Sequence, residues 1–313
     1  MTPPPAIVIA GPTASGKSGL ALAIAREFGG VVINADSMQV YDALPILAAQ
    51  PPPDDMAKAP HRLYGVLDAA DACSAARWRD LAAAEMAAAW AAERLPIVVG
   101  GTGLYLKTVM EGLSPIPEIP DDIRREARWR LAERGNAAFH ALLAVRDPVM
   151  AARLNPGDSQ RLARAWEVIE ATGRSLAEWQ AAPPVGAVAA DWFPVVMSPE
   201  RPALYAACDR RFAEMVGRGA PAEVEALMAR GLDPTLPVMK TLGLRELSAH
   251  LDGRMTLEAA VAAARQATRN YAKRQMTWAR HQIRASETIS AQLSESLITV
   301  IFLKVRQFLL TGR

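Results

Sequence analysis

A buried strand that runs directly into a phosphate-binding loop constrains this chain more than any other feature. The apolar run at residues 6–10 continues into Gly11, Pro12, Thr13, Ala14, Ser15, Gly16, Lys17 and Ser18. In such a P-loop the backbone N–H groups form a concave site for an anion, and the following helix adds the positive end of its dipole. Lys17 supplies a mobile cation, and the Ser18 hydroxyl is a candidate ligand for Mg²⁺. The loop predicts binding of a di- or triphosphate, but not what happens to it.

The order of apolar runs predicts an α/β fold. Short runs rich in β-branched residues lie at 6–10, 31–35, 96–99 and 193–197, with helical stretches between them. Strands that alternate with helices form a parallel sheet, and ligands bind at the carboxyl ends of its strands. We therefore predict a P-loop NTPase-like parallel sheet core.

One segment interrupts this α/β pattern. A proline-rich hinge at residues 114–120 leads into a stretch that is helical throughout, which predicts a helical insertion domain at residues 115–190. Residues 1–114 and 191–285 then form the core domain with its C-terminal helices. Residues 286–313 match no pattern to which we can assign a role.

Composition narrows the class of protein. Half of the residues are apolar, 22% are charged and the net charge is +2, which is ordinary for a globular protein with a full core. Cys73 and Cys208 are the only cysteines and are far apart, so a disulfide framework or a zinc cluster is not expected, and a reducing cytoplasm fits. We find no signal peptide, and the apolar run at residues 297–303 is too short to span a membrane.

The charge is unevenly distributed. Residues 259–286 contain no acid, and they carry the basic residues Arg265, Arg269, Lys273, Arg274, Arg280 and Arg284. On one helix, all of these but Arg274 would lie within an arc of about 100°. The opposite face lacks the bulky apolar stripe that membrane insertion requires, so a nucleic-acid partner is favoured over an anionic lipid surface.

Two further strand ends carry polar residues whose roles stay open on spacing alone. Asp36 follows the second run and can be a Mg²⁺ ligand, a general base or simply a turn or N-cap residue. Gly100, Gly101 and Thr102 follow the third run and can bind an oxyanion or form a tight turn with Thr102 as N-cap. In the insertion, Gln160, Arg161 and Arg164 have a solvated helix face as their default interpretation.

Together these segments resemble the tRNA dimethylallyltransferases, also called isopentenyl-tRNA transferases. The matching motifs, in family order, are residues 11–18 (GPTASGKS), 36–41 (DSMQVY), 60–64 (PHRLY), 99–105 (VGGTGLY), 112–114 (GLS), 158–165 (DSQRLARA), 211–212 (RF) ahead of 223–224 (EV), and 271–280 (YAKRQMTWAR). They cover about residues 6–284, and the Pro-Thr-Ala-Ser filling of the loop is more specific than the general P-loop pattern.

The resemblance implies a reaction and its residues. The family transfers a dimethylallyl group from its diphosphate to the exocyclic amine of the adenosine immediately 3′ of the anticodon. By this resemblance the P-loop, Lys17 and Mg²⁺ on Ser18 hold the leaving diphosphate, and Arg211 assists there. Asp36 becomes the base that accepts the amine proton, with Thr102 beside the reaction centre.

The resemblance also implies partners. The expected ligands are dimethylallyl diphosphate, Mg²⁺ and the anticodon arm of tRNA, bound by a cytoplasmic monomer without membrane contact. The positions that match the family's tRNA contacts are Asp36, Ser37, Met38, Gln39, Thr102, Arg124, Gln160, Arg161, Leu162, Ala163, Arg164, Lys240, Thr241, Leu242, Gly243, Leu244, Arg245, Lys273, Arg274, Gln275, Met276, Thr277, Trp278, Ala279 and Arg280.

Two segments depart from the family pattern. Residues 47–51 read Leu-Ala-Ala-Gln-Pro where many members have Gly-Thr-Ala-Lys-Pro, and residues 243–245 read Gly-Leu-Arg where Gly-Tyr-Arg is common. The changes remove a cation, a hydroxyl and an aromatic ring. Two rival functions use the same loop on ATP or GTP: a kinase of a small metabolite, and a nucleotide-switched RNA-binding protein.

Overall fold

The computed structural model describes residues 2–291 and 294–311 and divides the chain into two compact units. One unit comprises Met1–Met110 with Val188–Arg313, and the other is Glu111–Ala187. The domain boundaries given above stay a prediction, because a division by contacts does not show that either part folds alone.

The first unit contains one parallel sheet. Its strands among the described residues are β1 (Pro5–Ala10), β2 (Val31–Asn34), β3 (His61–Arg62), β4 (Pro96–Gly100), β5 (Asp191–Met197) and β6 (Glu287–Ile289). They lie side by side in the order β3-β2-β4-β1-β5-β6, and every described pair is parallel. Ile7 of β1 lies opposite Ile97 on one side and Phe193 on the other. The predicted α/β class with a parallel sheet is confirmed.

Helices follow and connect these strands. In chain order they are α1 (Lys17–Phe28), α2 (Pro53–Met56), α3 (Ala75–Ala91), α4 (Gly103–Glu111), α5 (Asp121–Arg146), α6 (Pro148–Arg153), α7 (Ser159–Thr172), α8 (Leu176–Ala181), α9 (Arg201–Gly217), α10 (Ala220–Ala229), α11 (Leu244–Leu251), α12 (Leu257–Gln282) and α13 (Glu295–Thr311), with a 3₁₀ turn at Pro237–Lys240. Ser74 precedes the Ala-rich helix α3 and caps it, since its hydroxyl accepts a hydrogen bond from Arg77 N–H (3.1 Å).

Both faces of the sheet are buried, because alternate residues of each strand enter different apolar layers. Ile7 and Ile9 of β1 join the layer that contains Leu20 and Ile24 of α1. Val8 joins the layer on the other face, which includes residues of α3, α4 and α10–α12. The β1 to α1 turn, which is the P-loop, is therefore anchored by a strand and a helix that are both core elements.

The segment that the sequence left unassigned completes this unit. Residues 287–289 add β6 to the sheet beside β5, and α13 packs in the layer of α1. Ile301 and Val305 of α13 are buried there. Within the described part of the chain, no helix is both long and apolar enough to cross a membrane.

The second unit is helical and comprises α5–α8. Phe139 and Trp166 are buried at its centre with their rings 5.4 Å apart, and Leu162 belongs to the same cluster. The buried Asp147 carboxylate accepts hydrogen bonds from the Ser175 hydroxyl (2.8 and 2.9 Å) and from Met150 N–H (3.0 Å). Its charge is thus satisfied inside the unit.

Candidate active site

The P-loop borders a cavity of about 340 Å³. The loop from Ala14 to Gly19 lines it on one side, and α9 contributes Ala207, Arg210, Arg211 and Glu214. The Ser15 hydroxyl is buried in the loop and has no hydrogen-bond partner among the described residues. A buried hydroxyl without a partner is costly, so this loop is suited to a polar ligand that can form a hydrogen bond with it.

Two of the loop N–H groups are already used. Thr13 N–H donates to Gln275 Oε1 (2.8 Å), and Ser15 N–H donates to the Pro12 carbonyl (3.3 Å). The backbone N–H groups between Gly11 and Lys17 were expected to form a concave site for an anion. The N–H groups of Thr13 and Ser15 are not free to bind an anion, because they already donate to oxygens of the protein.

The electrostatics of the cavity favour a strongly charged anion. Burial lowers the pKa of Lys17 from 10.5 to about 8; the Asp36 carboxylate opposes this shift, and the Arg211 guanidinium adds to it. Burial also lowers the pKa of Arg211, whose side chain donates to the Thr13 hydroxyl. Two cations are therefore held in a poorly solvated place, and a bound di- or triphosphate would restore their stabilisation.

Asp36 lies in a loop shaped by a buried asparagine. Asn34 Oδ1 accepts from Asp36 N–H (2.8 Å), and Asn34 Nδ2 donates to the Asp36 and Leu63 carbonyls (3.0 Å each). Asp36 Oδ1 accepts from Met38 N–H (3.0 Å), which is the turn role considered above. No helix begins there, and the carboxylate still interacts electrostatically with Lys17 and Arg211. The turn role and a chemical role are thus compatible.

Thr102 reaches across to the Asp36 loop. Its hydroxyl accepts from Ser37 N–H (2.9 Å) and donates to the Ser37 hydroxyl (3.2 Å). The start of α4 uses the Thr102 carbonyl, which accepts from Tyr105 N–H (3.0 Å). Thr102 thus stands at the N-cap position of α4, but its hydroxyl bonds to Ser37 and not to an N–H group of the helix. It joins the two strand-end loops that the sequence placed at the same edge of the sheet.

Comparison with known proteins decides the family. The IPP transferase family matches residues 39–282. The chain is 69% identical to a tRNA dimethylallyltransferase of Paramagnetospirillum magneticum over 99% of both chains, and 55% identical to that of Rhodospirillum rubrum over 98% of this chain and 96% of the relative. The chain belongs to the IPP transferase family.

Solved structures agree with this assignment. A full-length tRNA isopentenylpyrophosphate transferase of Bacillus halodurans is 31% identical, with a TM-score of 0.70 over 98% of this chain and 97% of that one. A eukaryotic dimethylallyltransferase acting on tRNA is 27% identical, with a TM-score of 0.73 over 88% and 70% of the two chains. The P-loop NTPase-like fold expected above is thus the fold of the IPP transferase family.

In this IPP transferase family member, α12 separates the predicted contact residues by face. Lys273, Arg274, Thr277 and Arg280 are exposed, Met276 and Trp278 are half-buried, and Gln275 and Ala279 are buried. Arg269 is paired with Asp209 of α9 (2.7 Å), so part of the charge that had no acid nearby in sequence is balanced in space. Arg284 lies beyond the end of α12, so its predicted place on the helical arc is wrong.

The segment at residues 240–245 adjoins the Asp36 loop. The Thr241 hydroxyl contacts Met38 Sδ (3.3 Å), the Lys240 side chain is exposed, and the Arg245 side chain is 93% exposed. Leu244, which stands where the family commonly has tyrosine, is buried. Leu242 is half-buried and Gly243 is buried. Only the two cations of this segment are freely presented to solvent.

The other departure from the family pattern also has an internal role. Gln50 Nε2 donates to the carbonyls of Gln39 (3.2 Å) and Tyr41 (2.7 Å). Gln39 Nε2 returns the interaction by donating to the Ala48 (3.0 Å) and Ala49 (2.8 Å) carbonyls. Hydrogen bonds therefore hold residues 47–51 against the segment that follows Asp36.

In the second unit, α7 presents part of its predicted contact set. Gln160 and Arg161 are exposed, whereas Leu162 and Ala163 are buried in the unit. Arg164 is half-exposed and pairs with Glu167 (3.2 Å). Arg124 of α5 lies 3.6 Å from Asp121. The Arg124 pair is solvent-exposed and therefore weak, which leaves this arginine available to a stronger anion, whereas Arg164 is held by a carboxylate that is itself buried.

Two residues near the site were missed by sequence reasoning. Asn34 is a polar residue at the end of an apolar strand, and that position was a signal that it shapes the loop beside it. Tyr271 lies in the motif at residues 271–280 but was given no role in the site. Burial and the Asp36 charge raise its pKa to about 12, while a hydrogen bond with Thr102 opposes the shift. Its phenol thus stays a proton donor at the edge of the site.

Proposed function

We propose that the protein transfers a dimethylallyl group from dimethylallyl diphosphate to the exocyclic amine of the adenosine immediately 3′ of the anticodon in tRNA, and releases diphosphate. The observation that carries the proposal is that one carboxylate, Asp36, lies close enough to Lys17 and Arg211 to raise the pKa of both cations of the P-loop cavity. A leaving-group site and a proton acceptor therefore share one site. The tRNA dimethylallyltransferases at 55–69% identity support the choice of substrates.

The diphosphate end works through charge. When the C–O bond of the donor breaks, its electron pair goes to the diphosphate and a resonance-stabilised allylic cation remains. Lys17 and Arg211 oppose the charge that develops on the leaving group, and they act strongly because they are poorly solvated. The Ser15 hydroxyl gains the partner that it lacks.

A divalent ion fits the same end. Mg²⁺ is commonly bound by few protein ligands together with substrate phosphates. Ser18 and Glu214 line the cavity and supply a hydroxyl and a carboxylate, so they would hold it. When bound, the ion neutralises negative charge on the diphosphate.

The nucleophile end works through proton acceptance. The exocyclic amine of adenine is a weak nucleophile because its lone pair is delocalised into the ring. Asp36 accepts the proton that this nitrogen loses as the new C–N bond forms, which makes attack easier. Met38 N–H donates to the carboxylate and Asn34 holds the backbone of Asp36, while Thr102 bonds to Ser37 and ties this loop to the next strand end.

The RNA must be held while the base leaves the anticodon stack. We propose that the exposed cations of α12 and of residues 240–245 contact tRNA phosphates, since they lie on the unit that contains the cavity. Gln160, Arg161 and Arg164 of the second unit, with Arg124, would add further contacts. We also propose that the enzyme acts as a monomer in the cytoplasm.

Competition for the cavity tests the function against the kinase alternative. The protein is incubated with tRNA, Mg²⁺ and dimethylallyl diphosphate that is radiolabelled in its dimethylallyl group, and unlabelled ATP or inorganic diphosphate is added. We expect inorganic diphosphate to displace the donor more effectively than ATP, and label to enter tRNA. ATP-dependent phosphorylation of a small molecule, without transfer to tRNA, would support the kinase instead.

A further inference from the structure

The amide of Gln275 bridges two loops of the site. Its Oε1 accepts from Thr13 N–H in the P-loop (2.8 Å), and its Nε2 donates to the carbonyl of Gly101 (2.9 Å). The residue is only 6% exposed, although it lies on the helix whose other face carries Lys273 and Arg274. Since both ends of the amide are engaged inside the protein, it has little left to offer an RNA.

The local sequence is built to allow this bridge. A Cβ atom on Gly101 would lie 2.1 Å from Gln275 Nε2, and one on Gly103 would lie 2.3 Å from the Trp278 ring. Real Cβ atoms essentially never lie this close to another atom, so the Gln275 amide and the Trp278 ring can hold these positions only with glycine at 101 and 103. Gly101 and Gly103 thus serve contact with α12, whereas a Cβ atom on Gly100 would meet the backbone of Ala35.

The Gln275 bridge is connected to the loop of Asp36, the proposed general base. Gly101 is followed by Thr102, whose hydroxyl binds Ser37, the neighbour of Asp36. At the other end, Thr13 receives the Arg211 side chain. A continuous chain of bonds therefore runs from the cations of the cavity, through Gln275, to the loop of the proposed base.

We propose that Gln275 is a positioning residue that fixes the spacing between the diphosphate cavity and the Asp36–Thr102 loops. This inference rests on the proposed function. Correct spacing couples ionisation of the donor to capture of the allylic cation by the adenosine amine. With a loosened spacing, diphosphate still leaves with the electron pair of the C–O bond. A water oxygen then attacks the cation and loses a proton to solvent, which gives a C5 alcohol instead of prenylated RNA.

The test measures coupling. Gln275→Met keeps the length of the side chain and removes both hydrogen bonds. Gln266→Met is the matched control, because Gln266 is an exposed residue of the same helix. For each protein, diphosphate released and dimethylallyl groups transferred to tRNA are counted together, and kcat and the KM for tRNA are measured.

We expect Gln275→Met to lower kcat by about 10- to 100-fold, as for a misplaced reacting group. The KM for tRNA should change less than about twofold, since no RNA contact is lost. The ratio of diphosphate released to groups transferred should rise above its wild-type value, and Gln266→Met should match wild type in all three measurements. A higher KM with unchanged kcat and an unchanged ratio would overturn the inference and make Gln275 an RNA contact.

A second variant guards against a folding defect. Gln275→Glu retains acceptor oxygens for Thr13 N–H but, when ionised, cannot donate to Gly101. It should also show the raised ratio, and it serves alone if thermal unfolding shows that Gln275→Met is not folded. A folded Gln275→Glu with wild-type coupling would refute the positioning role. If wild-type protein itself transfers nothing to tRNA, the proposed function has failed, and that outcome is distinct from full coupling in every variant.

Discussion

Lys17 makes diphosphate binding depend on pH in a calculable way. In the free protein its pKa is lowered to about 8, chiefly by burial, whereas a bound diphosphate favours the charged amine and raises that pKa again. Binding therefore takes up a proton where the free amine is deprotonated. Affinity is fully present well below pH 8 and declines as the pH rises above it.

The magnitude follows from the protonated fraction of Lys17. With a pKa of about 8, the amine is about 90% protonated one pH unit below and about 10% one unit above. If Lys17 stays protonated in the complex, the Kd for inorganic diphosphate rises about tenfold from pH 7 to about pH 9. This corresponds to a loss of roughly 1.4 kcal/mol of binding free energy.

Isothermal titration calorimetry measures this directly. Inorganic diphosphate is titrated at both pH values, and near pH 8 in two buffers of different ionisation enthalpy, where uptake of about half a proton is expected from Lys17. Diphosphate titrates as well, so Lys17→Arg is the control: its guanidinium stays charged throughout and leaves only the contribution of the ligand. Between the two pH values, the factor by which the Kd of wild type rises should be about ten times the factor for the variant. Equal pH dependence of the two proteins would refute the reasoning.

Three further predictions test other parts of the account. Asp36→Asn should retain tRNA binding and lower single-turnover prenyl transfer by about 10²- to 10⁴-fold; near-normal transfer would remove Asp36 as the base. Replacing Lys273, Arg274 and Arg280 together by alanine should reduce the slope of log Kd for tRNA against log salt concentration by about 2–3 in filter-binding titrations, whereas an unchanged slope would mean that they do not contact phosphates. Ile301→Ala should lower the free energy of unfolding by about 2–5 kcal/mol in urea titrations, because the side chain is buried between α13 and the sheet; a loss below about 1 kcal/mol would be inconsistent with α13 as part of the core.

Local signals were sufficient for much of the fold. A few adjacent residues are enough to indicate each of several elements that the structure contains. These are the strand before the P-loop, the strands that end at Asn34 and Gly100, and the cap at Ser74. Strand order was beyond such reasoning, because it depends on pairings between distant segments. The two-residue β3 and three-residue β6 are too short to show a period.

The C-terminal helix is a different case. Ile298, Ile301, Val305 and Phe308 recur at helical spacing and pack in the layer of α1. The pattern was present, but the apolar run was judged only against the length of a membrane span. A core helix was the better hypothesis for an amphipathic stretch of this size.

In the site as in the fold, residues within short motifs could be predicted, whereas contacts between distant segments could not. The resemblance selected Asp36, Thr102 and Arg211, and the structure brings the loops of Asp36 and Thr102 together, with Arg211 of α9 near enough to interact with the Asp36 charge. The pairing of Arg269 with Asp209 and the bridge made by Gln275 could not be inferred, since their partners lie 60 or more residues away in the chain. Burial decides what a polar residue on a helix does, and no single helix reveals its own burial.

One measurement tests the central claim most directly. The protein is incubated with Mg²⁺, dimethylallyl diphosphate and unmodified tRNA that carries adenosine 3′ of the anticodon, and the RNA is then digested to nucleosides and analysed by mass. The account predicts a C5H8 addition to that adenosine, which depends on the donor and is lost in Asp36→Asn. Folded protein that binds the tRNA but leaves every adenosine unchanged would contradict it.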